Sequence, residues 1–231
     1  MGLDTVRHTV VPESSRAVTD RLLGDLRTRR WRPAGWARFA AEATVRSLAQ
    51  AVAHPQALVE ATALHGLFLL IGRPARWRWV ATSWTLTVLH LGMLEDRSHL
   101  GAANALTLVR GNLPVTGKVL DRWLAISAMS SDFLDGKLAR HTGTTTPFGR
   151  YADPLADAAF WTWSTLTDTG PGSRLLRGIV VLTWLPPIAS VTTRSFALGK
   201  MIEAPRPRWI RPAAAVQILI AIRNLQRPPH R

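Results

Sequence analysis

Apolar residues gather along this chain into six runs bounded by charged residues or helix breakers, at about 58–72, 79–94, 123–131, 158–167, 178–193 and 212–222. Period-two alternation is weak throughout, so the pattern predicts helices and an all-α fold class. The runs Trp79–Leu94 and Gly178–Thr193 each hold 16 residues without formal charge. All six fall short of the roughly 18–20 apolar residues that mark a spanning helix without help from context. They span a bilayer only if flanking Arg and Trp snorkel and the polar groups turn inward, as a membrane enzyme with a buried polar site requires. Pro186 and Pro187 predict a kink or break in the fifth run. Residues 1–55 are polar and Arg-rich, with Val18, Leu22, Leu23 and Leu26 spaced for one apolar helix face, which suits an amphipathic region on a membrane surface. Trp31 and Trp36, set among arginines, either sit at headgroup level or pack on the bundle.

Composition sharpens this only in part. A mean hydropathy of +0.05 decides nothing between soluble and membrane classes. Cysteine is absent, which excludes disulfides, thiolate metal sites and cysteine nucleophiles and leaves oxygen or imidazole as the only metal ligands. The net charge of +14 favours polyanions. Arginines interleave with the apolar runs (Arg73, Arg76 and Arg78; Arg174 and Arg177; Arg206, Arg208 and Arg211), which is the pattern of charge flanking membrane helices. The partner expected from this is an anionic lipid bilayer, and no nucleic acid. The opening MGLDTVRHTV has no apolar core of a secretory signal, and Val6 stands where myristoylation requires Ser or Thr, so insertion is expected from internal segments.

The chemistry lies between Ser131 and Phe160. Asp132 and Asp135 are three apart, and Gly149, Asp153 and Asp157 follow at intervals of four, so each set lies along one helix face. The polar stretch HTGTTTPF between them predicts a short loop and two antiparallel neighbouring helices. Four carboxylates facing each other in a small volume repel and lose hydration, a conflict that divalent cations resolve. All-oxygen ligation suits Mg²⁺ or Mn²⁺, and a pair of ions suits a phosphoryl-type displacement. Gly136, Ala139 and Gly149 leave room for backbone or ligand on these faces.

Asp132, Asp135, Gly136, Ala139, Arg140, Gly149, Asp153 and Asp157 resemble the signature D-x2-D-G-x2-A-R-x8-G-x3-D-x3-D of the CDP-alcohol phosphotransferases at every fixed position. Asn104, Thr107 and Arg110, in NALTLVR, are similar to the N-x-L-T-x-x-R stretch that opens that family's first core helix. The resemblance implies that Asp132, Asp135 and Asp153 hold the metal pair and that Asp157 joins them or acts as general base toward an acceptor hydroxyl. It implies a nucleotide-binding side formed by Gly136, Ala139, Arg140 and Gly149, assisted by Asn104 and Thr107. The implied reaction transfers a phosphatidyl or related phospho-alcohol group from a CDP-alcohol donor to an alcohol or polyol-phosphate acceptor, releasing CMP, in phospholipid biosynthesis. A homodimer is implied by the resemblance alone.

Pattern and resemblance together give a polytopic membrane helical bundle of about six transmembrane helices, multi-pass in the cell membrane with its active site facing the cytoplasm. The expected divisions are an amphipathic cytoplasmic region at 1–55, an extra apolar helix pair at 56–98 and the phosphotransferase core at 99–231. Only 21 residues separate Arg110 from Asp132, so the first core helix reads as short, tilted or re-entrant. Arg194, Lys200, Arg206 and Arg208 either bind an acceptor phosphate or supply ordinary flanking charge. Two other functions compete: a metal-dependent prenyl transferase, which also sets aspartates at helical spacing, and a non-catalytic membrane relative. The ordered Gly, Ala and Arg positions argue against the first.

Overall fold

The computed structural model describes residues 14–117, 123–141, 143, 145–168, 170–202 and 210–226. Among these residues the chain forms helices and no strand: α1 (Ser15–Thr28), α2 (Pro33–Ala53), α3 (Pro55–Ile71), α4 (Trp77–Leu89), α5 (Ala102–Thr116), α6 (Leu124–His141), α7 (Pro147–Leu166), α8 (Ser173–Leu198) and α9 (Ile210–Leu225). The all-α class is therefore observed. Every apolar run of the sequence falls within or beside one of these helices.

Local chemistry sets several of the boundaries. The Ser14 hydroxyl accepts from the Ala17 amide to cap α1, and Thr146 accepts from the Gly149 amide to cap α7. Proline opens α2, α3 and α7, where its missing N–H is not needed. The expected apolar face of α1 is present, with Val18, Leu22, Leu23 and Leu26 all buried. Trp31 and Trp36 pack on the bundle, their ring centroids 5.7 and 5.5 Å from that of Phe196 at the end of α8.

Two expectations are corrected here. Pro186 and Pro187 do not break α8, which runs on for 26 residues. Adjacent prolines remove the bonds to only two neighbouring carbonyls, those of Leu182 and Thr183, and the turns on either side hold. The acidic helices α6 and α7 are also not side-by-side neighbours. Helix α5 packs along both and separates them.

That central position governs the interior. One apolar cluster, with Leu113, Phe160, Trp161, Val180 and Ile220, joins α5 to α6, α7, α8 and α9. A second, with Ala57, Val88, Leu108 and Phe148, joins α5 and α7 to α3 and α4. Small residues permit the approach, since a Cβ on Gly111 of α5 would stand 3.4 Å from Cβ of Ala156 on α7. At 15 residues α5 spans about 22 Å, shorter than the roughly 30 Å of a bilayer core. Among the described residues, α8 is the one helix long and apolar enough to cross a membrane by itself, while α3 and residues 214–223 of α9 are apolar but shorter.

Candidate active site

Helix α5 presents Asn104, Thr107 and Arg110 at intervals of three, so their side chains share a face, and all three are buried. Arg110 is fully enclosed, and its guanidinium lies where the acidic faces of α6 and α7 meet. Its Nη1 is 2.9 Å from Oδ2 of Asp135 and 3.5 Å from Oδ1 of Asp132, and its Nη2 pairs with Asp153. Its Nε is 2.7 Å from Oδ1 of Asp157, but off the line of a hydrogen bond. The Thr107 hydroxyl donates to Oδ2 of Asp135 at 2.9 Å.

Convergence of the carboxylates therefore has a physical cause that spacing alone did not reveal. Spacing alone leaves the four aspartates without a partner, and the structure gives them one shared cation. In the sequence Arg110 is one element of the NALTLVR stretch, and its register with Asn104 and Thr107 is the signal that points to this role. One guanidinium against four carboxylates leaves three negative charges uncompensated.

The remaining positions divide into two kinds. Asn104 joins the start of α5 to the cap of α7, donating to the Leu100 carbonyl at 2.7 Å and to the Thr146 hydroxyl at 3.2 Å. A Cβ on Gly149 would lie only 2.7 Å from Oδ1 of Asn104, so Gly149 is what lets α7 come this close. On α6, Arg140 folds back along its own helix, 3.2 Å from where a Cβ of Gly136 would stand. Ala139 lies in α6 with its side chain outside the described set. Arg194 and Lys200 are exposed at the end of α8, where Arg27 donates to the Leu198 carbonyl at 3.2 Å and the Met201 amide donates to Asp20 at 2.6 Å. Arg206 and Arg208 fall outside the described residues.

A family model for CDP-alcohol phosphatidyltransferases matches residues 100–226, which take in α5 to α9 and more than half of the chain. The chain belongs to the CDP-alcohol phosphatidyltransferase family. No curated protein and no solved structure matches it. This CDP-alcohol phosphatidyltransferase family is one of transferases, and its members are membrane proteins that use divalent metal ions.

The residues present fit such an ion. One carboxylate oxygen each from Asp132, Asp135 and Asp153 lie within 4.8 Å of one another. Asp132 and Asp153 are 44% and 41% exposed at the side chain, so the cluster is open to an arriving cation. Oδ1 of Asp157 is buried beside Nε of Arg110 but accepts no hydrogen bond, which leaves it a lone pair for a further partner. The donor set is oxygen only, as hard divalent ions require.

Proposed function

We propose that this protein transfers a phosphatidyl or related phospho-alcohol group from a CDP-alcohol donor to an alcohol or polyol-phosphate acceptor and releases CMP, as a step of phospholipid biosynthesis. The observation that carries this reading is the convergence of Asp132, Asp135, Asp153 and Asp157 on Arg110 within the segment that the family match covers.

On this reading Asp132, Asp135 and Asp153, joined by Asp157, hold Mg²⁺ or Mn²⁺ as a pair of ions, whose chemistry is neutralisation of the diphosphate and of the departing CMP. Asp157 takes the proton of the acceptor hydroxyl. The acceptor oxygen then bonds to the phosphorus bearing the alcohol, the diphosphate P–O bond breaks, and its electron pair leaves with CMP. The nucleotide side is formed by Gly136, Ala139 and Arg140, with the guanidinium directed to phosphate. Thr107, Asn104 and Gly149 fix the carboxylates that border it. Arg194, Lys200, Arg206 and Arg208 are the cations assigned to an acceptor phosphate.

Membrane embedding belongs to the same reading. Leu67, Leu70, Leu182, Leu185, Leu219 and Ile222 are exposed on α3, α8 and α9, more apolar surface than a monomer in water sustains. With α3, α4, α6, α7, α8 and α9 as membrane elements, the chain is multi-pass with about six spans, and its active site opens to the cytoplasm. A homodimer follows from the family resemblance.

The test is release of CMP from a labelled CDP-alcohol by purified protein with Mg²⁺ or Mn²⁺, across a panel of polyols and polyol phosphates. Product with at least one acceptor is expected, and no release with any overturns the proposal. Asp157→Asn should lower turnover by roughly 10²–10⁴-fold, the usual contribution of a positioned base, with helicity by circular dichroism unchanged.

A further inference from the structure

His54 stands at the corner between α2 and α3 and is buried. Its Nδ1 lies 2.7 Å from the Gln50 carbonyl of α2, and its Nε2 lies 2.9 Å from the Glu95 carbonyl, 41 residues further along the chain. Glu95 opens the connection 95–101, which leads into α5. Its φ of +56° is one that residues other than glycine rarely adopt, and such a conformation persists only where its surroundings hold it.

A carbonyl oxygen only accepts hydrogen bonds. A neutral imidazole carries one N–H, so it satisfies one of these carbonyls and sets a bare lone pair against the other. Only the imidazolium donates to both. The charged and titratable groups on the elements that meet here are Arg46 of α2, Glu60 of α3, His90 after α4, Arg150 of α7, and Glu95, Asp96, Arg97 and His99 of the connection. Among the described residues none of their side chains bonds to the His54 ring. The connection is fastened to α3 by further bonds: the Ala57 amide donates to the Ser98 carbonyl at 3.0 Å, and Oε2 of Glu60 accepts from the Leu100 amide at 2.8 Å. Oε1 of Glu60 lies 2.7 Å from Nδ1 of His99, an exposed pair that protonation strengthens only slightly. On its other side the connection reaches the acidic helices. Arg97 donates to the Gly143 carbonyl at 3.0 Å in the turn between α6 and α7, and the Leu100 carbonyl accepts from Asn104, which braces the cap of α7.

We infer that His54 is a proton-dependent joint: as an imidazolium it ties the connection 95–101 to the corner of α2 and α3, and loss of its proton releases the Glu95 carbonyl. The bond to Gln50 lies within one helical turn and closes no loop, so the bond to Glu95 is the one a neutral ring gives up. Folding and protonation of this ring favour one another. By linkage the joint is therefore tight in acid and loosens as pH rises through the range in which histidines ordinarily titrate, about 5 to 8. Loosening begins at the strained turn of Glu95 and passes through Leu100 to Asn104 and the start of α7. The hold of the N-terminal helices, which precede the family match, on the family core thus depends on pH. The joint stands apart from the catalytic reading, because it requires neither metal nor turnover.

Two measurements on the full chain in detergent micelles test this. By nuclear magnetic resonance of protein carrying isotope-labelled histidine, the His54 ring, assigned by its loss in His54→Gln, should have both nitrogens protonated at about pH 7, where an ordinary histidine is mostly neutral. A ring with one bare nitrogen there overturns the inference. Hydrogen exchange, corrected for its intrinsic dependence on pH, should show protection of residues 95–101 falling by about tenfold or more between about pH 6 and pH 8, as the loss of a hydrogen bond to a charged group requires. His54→Gln should show a smaller fall, and His90→Gln, at a histidine outside the joint, should keep the full one. Constant protection in the parent, or a fall as steep in His54→Gln, is refutation. Should His54→Gln fail to fold, exchange in the parent decides alone, and constant protection refutes the joint.

Discussion

Arg110 illustrates how one buried side chain organises a site. Removing it would leave four carboxylates facing one another with no cation, and breaking a buried pair of this kind costs about 3–5 kcal/mol. Arg110→Gln should therefore melt far below the parent in EDTA, and Mg²⁺ should restore much of the loss. The parent should respond less to Mg²⁺, because its guanidinium already offsets part of the charge. Differential scanning fluorimetry with and without EDTA measures both, and equal Mg²⁺ responses in the two proteins would refute this role. Asn104 and Gly149 read in the sequence as nucleotide contacts, and the structure joins them to each other across the α5 and α7 seam.

At the scale of elements, α5 does the work that the sequence had given to a direct pairing of α6 and α7. It carries the cation, and it sets the separation of the two acidic helices. Gly149→Ala tests this. The new methyl would meet Oδ1 of Asn104 at 2.7 Å, and Asn104 is held by two partners and cannot yield freely. Overpacking of this kind costs about 1–3 kcal/mol, and by moving the start of α7 it should also displace Asp153 one turn later. We expect a lower melting temperature together with weaker Mn²⁺ binding by calorimetry. Normal Mn²⁺ binding would show that the seam does not set the carboxylate geometry. The helices themselves were legible in advance, because apolar runs bounded by charged residues and helix breakers specify them locally. The continuity of α8 through Pro186 and Pro187 was not, since a single chain reading weighs the lost bonds of a proline and not the turns that persist around it.

For the molecule as a whole, the family core is half of the design, and α1 to α4 are the other half. Those helices close a cavity against α5 and α7, bury α5 on its second side, and, through α1, dock on the end of α8. The absence of cysteine makes orientation directly measurable. Thr145→Cys, in the exposed turn between α6 and α7, should react with a membrane-impermeant maleimide in inside-out vesicles and not in intact cells. The reverse labelling would place the site on the other face of the membrane.

What the sequence determined by itself was whatever depends on near neighbours along the chain: helical periodicity, the apolar face of α1, and the register of eight motif positions. That was enough for the family and for the acidic residues. The tertiary structure decided which charges meet. Arg110 lies 22 to 47 residues from its four partners, and no local rule links it to them. Ion pairing across helices depends on packing distances of a few ångströms, set by small residues such as Gly111 and Gly149 on surfaces that touch only once the bundle has formed.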